Sequence, residues 1–142
     1  MSAYADTSFI FSLYVSDSNS TEAAKRIGRL PLPVSITPLG ELELVNALQL
    51  HVFRKELLPA EIHAAHAAFR ADLGNGVLLM RPLMETIYGE ASRIATKWVA
   101  RLGTRTLDII HVACALAMEA ETFSTFDERQ AKLARAVGLR TL

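Results

Sequence analysis

Hydrophobic and polar residues alternate along this chain in two spacings, short β-like runs and longer segments with helical periodicity. The β-like runs are Ala3–Ala5, Pro33–Ile36, Val77–Met80, Thr122–Thr125 and Leu139–Thr141. The helical segments are Thr7–Val15, Thr21–Arg29, Leu39–Arg54, Pro59–Leu73, Glu85–Arg101, Leu107–Ala120 and Glu128–Val137. Strands that alternate with helices usually pair in parallel and carry helices on both faces. The pattern therefore predicts an α/β fold, a three-layer α/β/α domain with a mainly parallel central sheet.

Length and composition indicate one globular domain over residues 1–142, with 51% hydrophobic and 21% charged residues. Fifteen Lys and Arg balance fifteen Asp and Glu, so binding of a polyanion would depend on a local basic patch. A single cysteine, Cys114, excludes an internal disulfide and a four-cysteine zinc site. The longest apolar stretch, Ile109–Met118, is too short to cross a membrane, and Asp6 interrupts any signal peptide. We therefore expect a cytoplasmic protein without a membrane segment.

Two helical segments, 39–54 and 107–118, are apolar nearly all round, which predicts that both are buried. Glu43 lies on the same face of the first segment as three apolar residues. Asp108 and His111 are the only polar side chains of the second. An isolated ionised group is costly to bury, so each of these side chains requires a partner, a shifted pKa or a metal ion.

Four carboxylates are expected at one edge of the sheet. Asp6 and Asp127 each follow a β-like run and open a helix, while Glu43 and Asp108 lie in the first turns of theirs. The carboxyl ends of parallel strands meet at one edge, where ligands bind. Clustered carboxylates need compensating cations, and an all-oxygen cluster suits Mg²⁺ or Mn²⁺. Two such ions about 3.5 to 4 Å apart, or one ion with a carboxylate base, can activate water against a phosphodiester.

Each acid also has an ordinary structural explanation. Asp6 is placed as a helix N-cap, and Asp127 with Gln130 three residues later is typical of a capping box. Asp108 favours the dipole of its helix, and an arginine could neutralise Glu43. The predicted convergence of all four acids is what favours a catalytic cluster.

The sequence around these acids resembles PIN-domain ribonucleases, and among them the VapC-type toxins of toxin–antitoxin pairs. The matching segments are YADTSFIFSLY at 4–14, ITPLGELELVNAL at 36–48, GTRTLDIIHVACAL at 103–116 and TFSTFDERQAKLA at 122–134. The resemblance implies a PIN-like fold and an Mg²⁺- or Mn²⁺-dependent endoribonuclease that cleaves tRNA, rRNA or mRNA to 5′-phosphate and 3′-hydroxyl products. It also implies a cognate antitoxin protein of VapB type and a homodimer.

Carried over to this chain, the resemblance implies that Asp6, Glu43, Asp108 and Asp127 form the acidic quartet, with Asp6 and Asp108 as the main metal ligands. Glu41 competes with Glu43, since both belong to the sequence ELEL. We choose Glu43, because it lies four residues before a small residue and on the apolar side of its helix, whereas Glu41 projects about 160° away.

Five further residues are candidates for supporting roles: Thr7, Ser8, Asn46, Arg105 and His111. The resemblance implies that Thr7 or Ser8 holds water or phosphate and that Asn46 supports the nearby glutamate. Arg105 lies in the loop leading to the acidic edge and is a candidate phosphate contact. His111, one turn beyond the acid of its helix, is a candidate to orient that acid or to donate to phosphate. A core histidine bonded to a backbone carbonyl is the alternative.

Two other functions remain open at this point. A phosphatase of the haloacid-dehalogenase type also begins with an aspartate after its first strand, but its second acid would stand where this chain has Ser8. A non-catalytic domain that binds RNA or protein would use the acids only as helix caps. For the homodimer, we expect apolar side chains of the second and fourth helical segments, 21–29 and 59–73, to form the interface.

Overall fold

The computed structural model describes all 142 residues and contains five strands and seven helices. The strands are β1 (Ala3–Ala5), β2 (Val34–Ile36), β3 (Leu78–Met80), β4 (Thr122–Ser124) and β5 (Arg140–Thr141). The helices are α1 (Thr7–Tyr14), α2 (Ser20–Ile27), α3 (Pro38–Phe53), α4 (Pro59–Gly74), α5 (Ile87–Leu102), α6 (Thr106–Ala117) and α7 (Glu128–Ala136). Every predicted run and segment corresponds to one of these elements, with small displacements at the ends. None of the helices combines the length and hydrophobicity needed to span a bilayer.

The five strands form one sheet in the order β3-β2-β1-β4-β5, and every neighbouring pair is parallel. In β1, Ala3 lies opposite Val34 of β2 on one side and Thr122 of β4 on the other. Helices α1 to α4 pack together on one face, and α5 to α7 pack together on the other. The predicted three-layer α/β/α fold is therefore confirmed, with a sheet that is parallel throughout.

Alternation of side chains along β1 divides the apolar interior into two cores. Ala3 and Ala5 point into the core beneath α1 to α4, whereas Tyr4 points into the core beneath α5 to α7. There the Tyr4 ring stacks on Phe123 of β4, with ring centroids 5.5 Å apart. Burial on both faces explains why the strand sequences are almost continuously apolar.

The order of the strands sets the position of the site. From β1 the chain first runs outward through β2 and β3, then returns across the sheet to β4 on the other side of β1. The switch between the two directions lies between β1 and β4, where open α/β sheets bind ligands beyond the carboxyl ends of the strands. Helices α1 and α7 begin at this edge. Gly103, with φ of +67°, ends α5 and lets the chain turn sharply into α6.

Helix α6 is buried as predicted, from Asp108 to Ala115. The prediction that α3 is buried all round was wrong, because Leu42 is 64% exposed and Phe53 is 83% exposed. Helix α3 buries only a narrow stripe that includes Leu44 and Leu48, and its other side lies open to solvent. An apolar helix surface shows what a helix can bury, but only its neighbours in the fold decide how much of it is covered.

The surfaces expected to form a dimer also differ from the structure. Neither α2 nor α4 exposes a large hydrophobic side chain. Exposed apolar side chains lie instead on α3, at Leu42, Leu50 and Phe53. The large apolar side chains of segments 21–29 and 59–73 pack inward, against the core under α1 to α4, and the apolar residues that these segments expose are alanines.

The two leucine environments on α3 provide a test of this packing. We expect Leu48→Ala to lower the free energy of unfolding by about 2 to 5 kcal/mol, because Leu48 is fully buried. Leu42→Ala, the same change on the open side, should alter it by less than about 0.5 kcal/mol. Urea unfolding followed by circular dichroism measures both, and equal losses would contradict the assigned orientation of α3.

Candidate active site

Asp6 is the most enclosed acid at the carboxyl edge of the sheet. It follows β1, is the N-cap of α1 through a bond from the Phe9 amide to Oδ1 (3.0 Å), and is buried. The Ser8 hydroxyl donates to the same carboxylate at 2.8 Å, and the Thr125 hydroxyl donates to Oδ2 at 2.5 Å. Burial raises the pKa of the Asp6 carboxyl, and the bonds from Thr125, Phe9 and Ser8 oppose that rise only in part.

Asp108 is linked to Asp6 through the side-chain amide of Gln130. Gln130 Nε2 lies 2.9 Å from Asp6 Oδ2 and 3.3 Å from Asp108 Oδ1, so the two carboxylates face one amide group. Asp108 lies in the first turn of α6, where its Oδ2 accepts the backbone amide of Arg105 at 3.3 Å. Elements from three distant parts of the chain thus bring these two acids together.

Asp127 joins the group through Arg105. The Arg105 guanidinium lies 3.7 Å from Asp108 Oδ2 and 3.9 Å from Asp127 Oδ2, and its side chain is 74% exposed. Asp127 also caps α7, because its Oδ1 accepts the backbone amide of Gln130 at 3.0 Å. Both acids therefore lie under one solvent-facing positive charge.

Glu43 stands on the other side of Asp6, on the second turn of α3. Its Oε1 accepts the Thr7 hydroxyl at 2.8 Å and lies 2.5 Å from His111 Nε2. Burial acts to raise the pKa of the Glu43 carboxyl, but the hydrogen bonds from His111 and Thr7 outweigh it and hold that pKa below its usual range. Glu43 is thereby kept ionised beside the other acids.

Tyr4 fixes the orientation of His111 from the interior. Tyr4 Oη lies 2.7 Å from His111 Nδ1, and both side chains are buried. Burial raises the pKa of Tyr4 well above its ordinary value. We assign the tautomer in which the protonated Tyr4 hydroxyl donates a hydrogen bond to an unprotonated Nδ1. His111 Nε2 then carries the hydrogen that is donated to Glu43.

Gln130 and Arg105 link three acids of the predicted quartet, Asp6, Asp108 and Asp127. Glu43 lines the same cleft as Asp108 and is bonded to Thr7, the residue after Asp6. Glu41 points elsewhere, because it pairs with Arg70 of α4 at 3.0 Å. The choice of Glu43 over Glu41 agrees with this geometry. Whether the four acids are catalytic stays a prediction.

Two supporting residues, His111 and Asn46, differ from expectation in their contacts. His111 contacts Glu43 and not Asp108, because α6 turns that side of its helix toward α3. Asn46 is exposed, and the hydrogen bonds to Glu43 come from Thr7 and His111 instead. Thr7 and Ser8 both donate to carboxylates of the site, Thr7 to Glu43 and Ser8 to Asp6.

Asp6 and Asp127 are both helix caps and members of the acidic group. Each acid caps a helix with one carboxylate oxygen and contacts a neighbouring side chain of the site with the other. The capping box predicted for Asp127 and Gln130 is only half formed. The Asp127 amide donates to Thr125 Oγ1 at 2.9 Å, while the Gln130 side chain reaches Asp6 and Asp108.

Sequence reasoning missed Gln130, Thr125 and Tyr4 as site residues. Spacing gave no signal for them, because each acts through contacts across the sheet.

The donor atoms at this edge suit a hard divalent cation. Asp6 and Asp108 present carboxylate oxygens to a common point, beside the side-chain amide nitrogen of Gln130. Mg²⁺ is often held by one or two carboxylates and keeps several waters. No three His, Cys, Asp or Glu side chains are grouped closely enough to hold an ion among them. The pair Asp6 and Asp108 therefore fits a water-rich ion better than a cage of protein ligands.

A cleft of about 400 Å³ opens beside these acids and is lined by Glu43, Arg105, Thr106, Leu107 and Asp108. It gives a ligand access from solvent to two members of the quartet. The chain therefore belongs to the class of open α/β domains, which bind ligands at the switch point of the sheet.

Comparison with known proteins identifies the family. The family model of the PIN domain matches residues 3–136, and the chain belongs to the PIN domain family. The resemblance noted in the sequence is thus confirmed, and the haloacid-dehalogenase alternative loses its basis. No curated protein matches the sequence significantly.

Several solved structures share the fold. VapC20 of Mycobacterium tuberculosis, a sarcin-ricin loop cleaving toxin, superposes with a TM-score of 0.72 at 17% identity, covering 97% of both chains. A toxin–antitoxin complex from Klebsiella pneumoniae gives 0.65 at 15% identity, over 92% of this chain and 90% of the other. FitAcB from Neisseria gonorrhoeae gives 0.62 at 15% identity, over 99% and 96%. At these identities the likeness concerns the fold.

The Tyr4 contact can be tested by removing one oxygen. We expect Tyr4→Phe to leave His111 Nδ1 buried without a donor and to lower the free energy of unfolding by about 1 to 3 kcal/mol. Nitrogen-15 NMR should show an unprotonated Nδ1 in the unmodified protein, whose resonance moves toward that of an unbonded acceptor in the variant. Tyr14→Phe, which removes a hydroxyl bonded to Asp72, is the matched control and should leave this resonance in place. A protonated Nδ1 in the unmodified protein would contradict the assigned tautomer.

Proposed function

We propose that this chain is an Mg²⁺- or Mn²⁺-dependent endoribonuclease that acts as the toxin of a toxin–antitoxin pair. The observation that carries the proposal is the meeting of Asp6, Glu43, Asp108 and Asp127 at the switch point of a PIN-family sheet. Burying acids that only cap helices would be costly, whereas a cation site explains why they are kept together.

The roles of the residues follow from their contacts. Asp6 and Asp108 would hold the divalent ion, which supplies a water of lowered pKa and stabilises charge on the phosphate. Glu43, held ionised by His111 and Thr7, accepts a hydrogen bond from the attacking water and orients it. Asp127 adds negative charge at the same edge and positions α7. Ser8 and Thr125 fix the Asp6 carboxylate in one orientation.

Arg105 is the group best placed to meet the RNA backbone. Its guanidinium is exposed above Asp108 and Asp127, within the cleft, on the loop between α5 and α6. Since the chain has no net charge, a local cation beside the acids is needed to draw a phosphate toward them.

Partners are proposed from the structural neighbours. The Klebsiella pneumoniae structure is described as a toxin–antitoxin complex, and we propose that this chain likewise binds a cognate antitoxin protein. VapC20 is described as cleaving the sarcin-ricin loop, which supports RNA as the substrate class here. We also propose a homodimer, for which the exposed apolar side chains of α3 are better suited than α2 or α4. We also propose that the protein acts in the cytoplasm, where RNA is available.

The decisive experiment is RNA cleavage by the purified chain without a partner. We expect cleavage of tRNA or rRNA fragments in Mg²⁺ or Mn²⁺, with 5′-phosphate and 3′-hydroxyl ends, and none in EDTA. Asp108→Asn and Glu43→Gln should each lower the rate by about 100-fold, because the first removes a charged ligand of the ion and the second removes the charged group that orients the attacking water.

Glu41→Gln is the matched control for Glu43→Gln, because Glu41 lies on the same helix but pairs with Arg70. It should retain activity. Circular dichroism must show that all variants stay folded. A folded, active Glu43→Gln beside an inactive Glu41→Gln would reverse the assignment. Absence of metal-dependent cleavage would favour the non-catalytic RNA- or protein-binding alternative.

Removal of Arg105 should weaken binding of RNA rather than the chemistry. We expect Arg105→Ala to raise KM several-fold and to reduce the dependence of binding on salt, because one phosphate contact is lost. Arg140→Ala is the control. It breaks an exposed pair between Arg140 on β5 and Glu121, and it should change neither KM nor the salt dependence of binding. Unchanged KM at every salt concentration would exclude Arg105 as a phosphate contact.

A further inference from the structure

Gln130 is the one neutral side chain that contacts two acids of the quartet. Only 3% of it is exposed, and its amide nitrogen lies 2.9 Å from Asp6 Oδ2 and 3.3 Å from Asp108 Oδ1. Its backbone is fixed as well, since the Gln130 amide donates to Asp127 Oδ1. The side chain is thus anchored at the start of α7 and directed between two carboxylates.

The direction of the amide follows from electrostatics. With Nε2 toward the acids, each of its two hydrogens can serve one carboxylate. The reverse orientation would place Oε1 against two anionic oxygens. In this orientation Oε1 is buried without a hydrogen-bond partner. The two hydrogen bonds from Nε2 to charged carboxylates outweigh that cost.

These hydrogens occupy the oxygens that a divalent ion would use. A cation that binds both oxygens meets the positive end of the amide dipole, so the amide must turn or withdraw. Contacts that exist only in the ion-free chain stabilise the ion-free state. The apparent affinity for the ion falls by the factor by which those contacts favour that state.

We propose that Gln130 is a positioning residue that takes the place of the divalent ion in the ion-free chain and thereby weakens its binding between Asp6 and Asp108. This inference rests on the proposed function, because it presumes that the two acids bind a divalent cation. It adds a residue outside the acidic quartet that sets how much of that cation is required.

Calorimetric titration of the full chain with Mn²⁺ tests the proposal without measuring cleavage. Gln130→Met keeps the length of the side chain but removes both hydrogens, and we expect it to bind Mn²⁺ about tenfold more tightly. In EDTA the same variant should unfold at a lower temperature than the unmodified protein. Added Mn²⁺ should raise the unfolding temperature of the variant by more than it raises that of the unmodified protein. A merely structural role would weaken both stability and Mn²⁺ binding. Gln49→Met, at an exposed position on α3, is the matched control and should change neither.

Gln130→Lys gives a second measurement if Gln130→Met does not fold. Its ammonium can pair with Asp6 and Asp108, so we expect a folded chain that no longer binds Mn²⁺. Equal or weaker Mn²⁺ binding by a folded Gln130→Met would overturn the role of Gln130 while leaving the metal site intact. Unchanged binding by Gln130→Lys would show that Mn²⁺ does not bind between Asp6 and Asp108, which would overturn this inference. Absence of Mn²⁺ binding by the unmodified protein would overturn both this inference and the metal dependence of the proposed function.

Discussion

The repulsion between carboxylates brought to one edge of the sheet is the constraint on which this site depends. Asp6 and Asp108 face one point in a poorly hydrated environment, where like charges interact strongly. The chain relieves this repulsion with hydrogen-bond donors around the carboxylates. Hydroxyls and an amide hold Asp6, the Gln130 amide joins it to Asp108, and the Arg105 guanidinium lies at the solvent side. Such an arrangement stays folded without an ion and keeps carboxylate oxygens directed to the place where an ion would bind.

The parallel sheet supplies the geometry that makes this arrangement possible. Parallel strands place all their carboxyl ends at the same edge, and the reversal of direction between β1 and β4 leaves a gap between the helices that follow them. Asp6 and Asp127 enter the site from these two strands, and Asp108 comes from the helix that packs beside α7. Glu43 comes from the opposite layer. The site therefore lies between the two helical layers, and the chain forms it only when both have packed on the sheet.

Stability and the candidate chemistry share the same residues here. Asp6 and Asp127 each use one carboxylate oxygen to cap a helix and the other to face the site. On the far side, Tyr4 belongs to the apolar core and also fixes the tautomer through which His111 bonds Glu43. Changing such a residue alters folding and the site together, because one hydrogen-bond network performs both tasks.

The order of strands and helices could be predicted from sequence, because periodicity follows from local backbone geometry and from the need to bury apolar faces. The placement of Asp6 and Asp127 at one edge could also be predicted, since the carboxyl ends of parallel strands meet there. Only the tertiary structure decided which groups they contact. His111 contacts Glu43 rather than Asp108, the Gln130 side chain contacts two acids instead of completing a capping box, and α3 exposes Leu42, Leu50 and Phe53. Each of these outcomes depends on how helices from distant parts of the chain rotate and pack against one another, which local spacing does not encode.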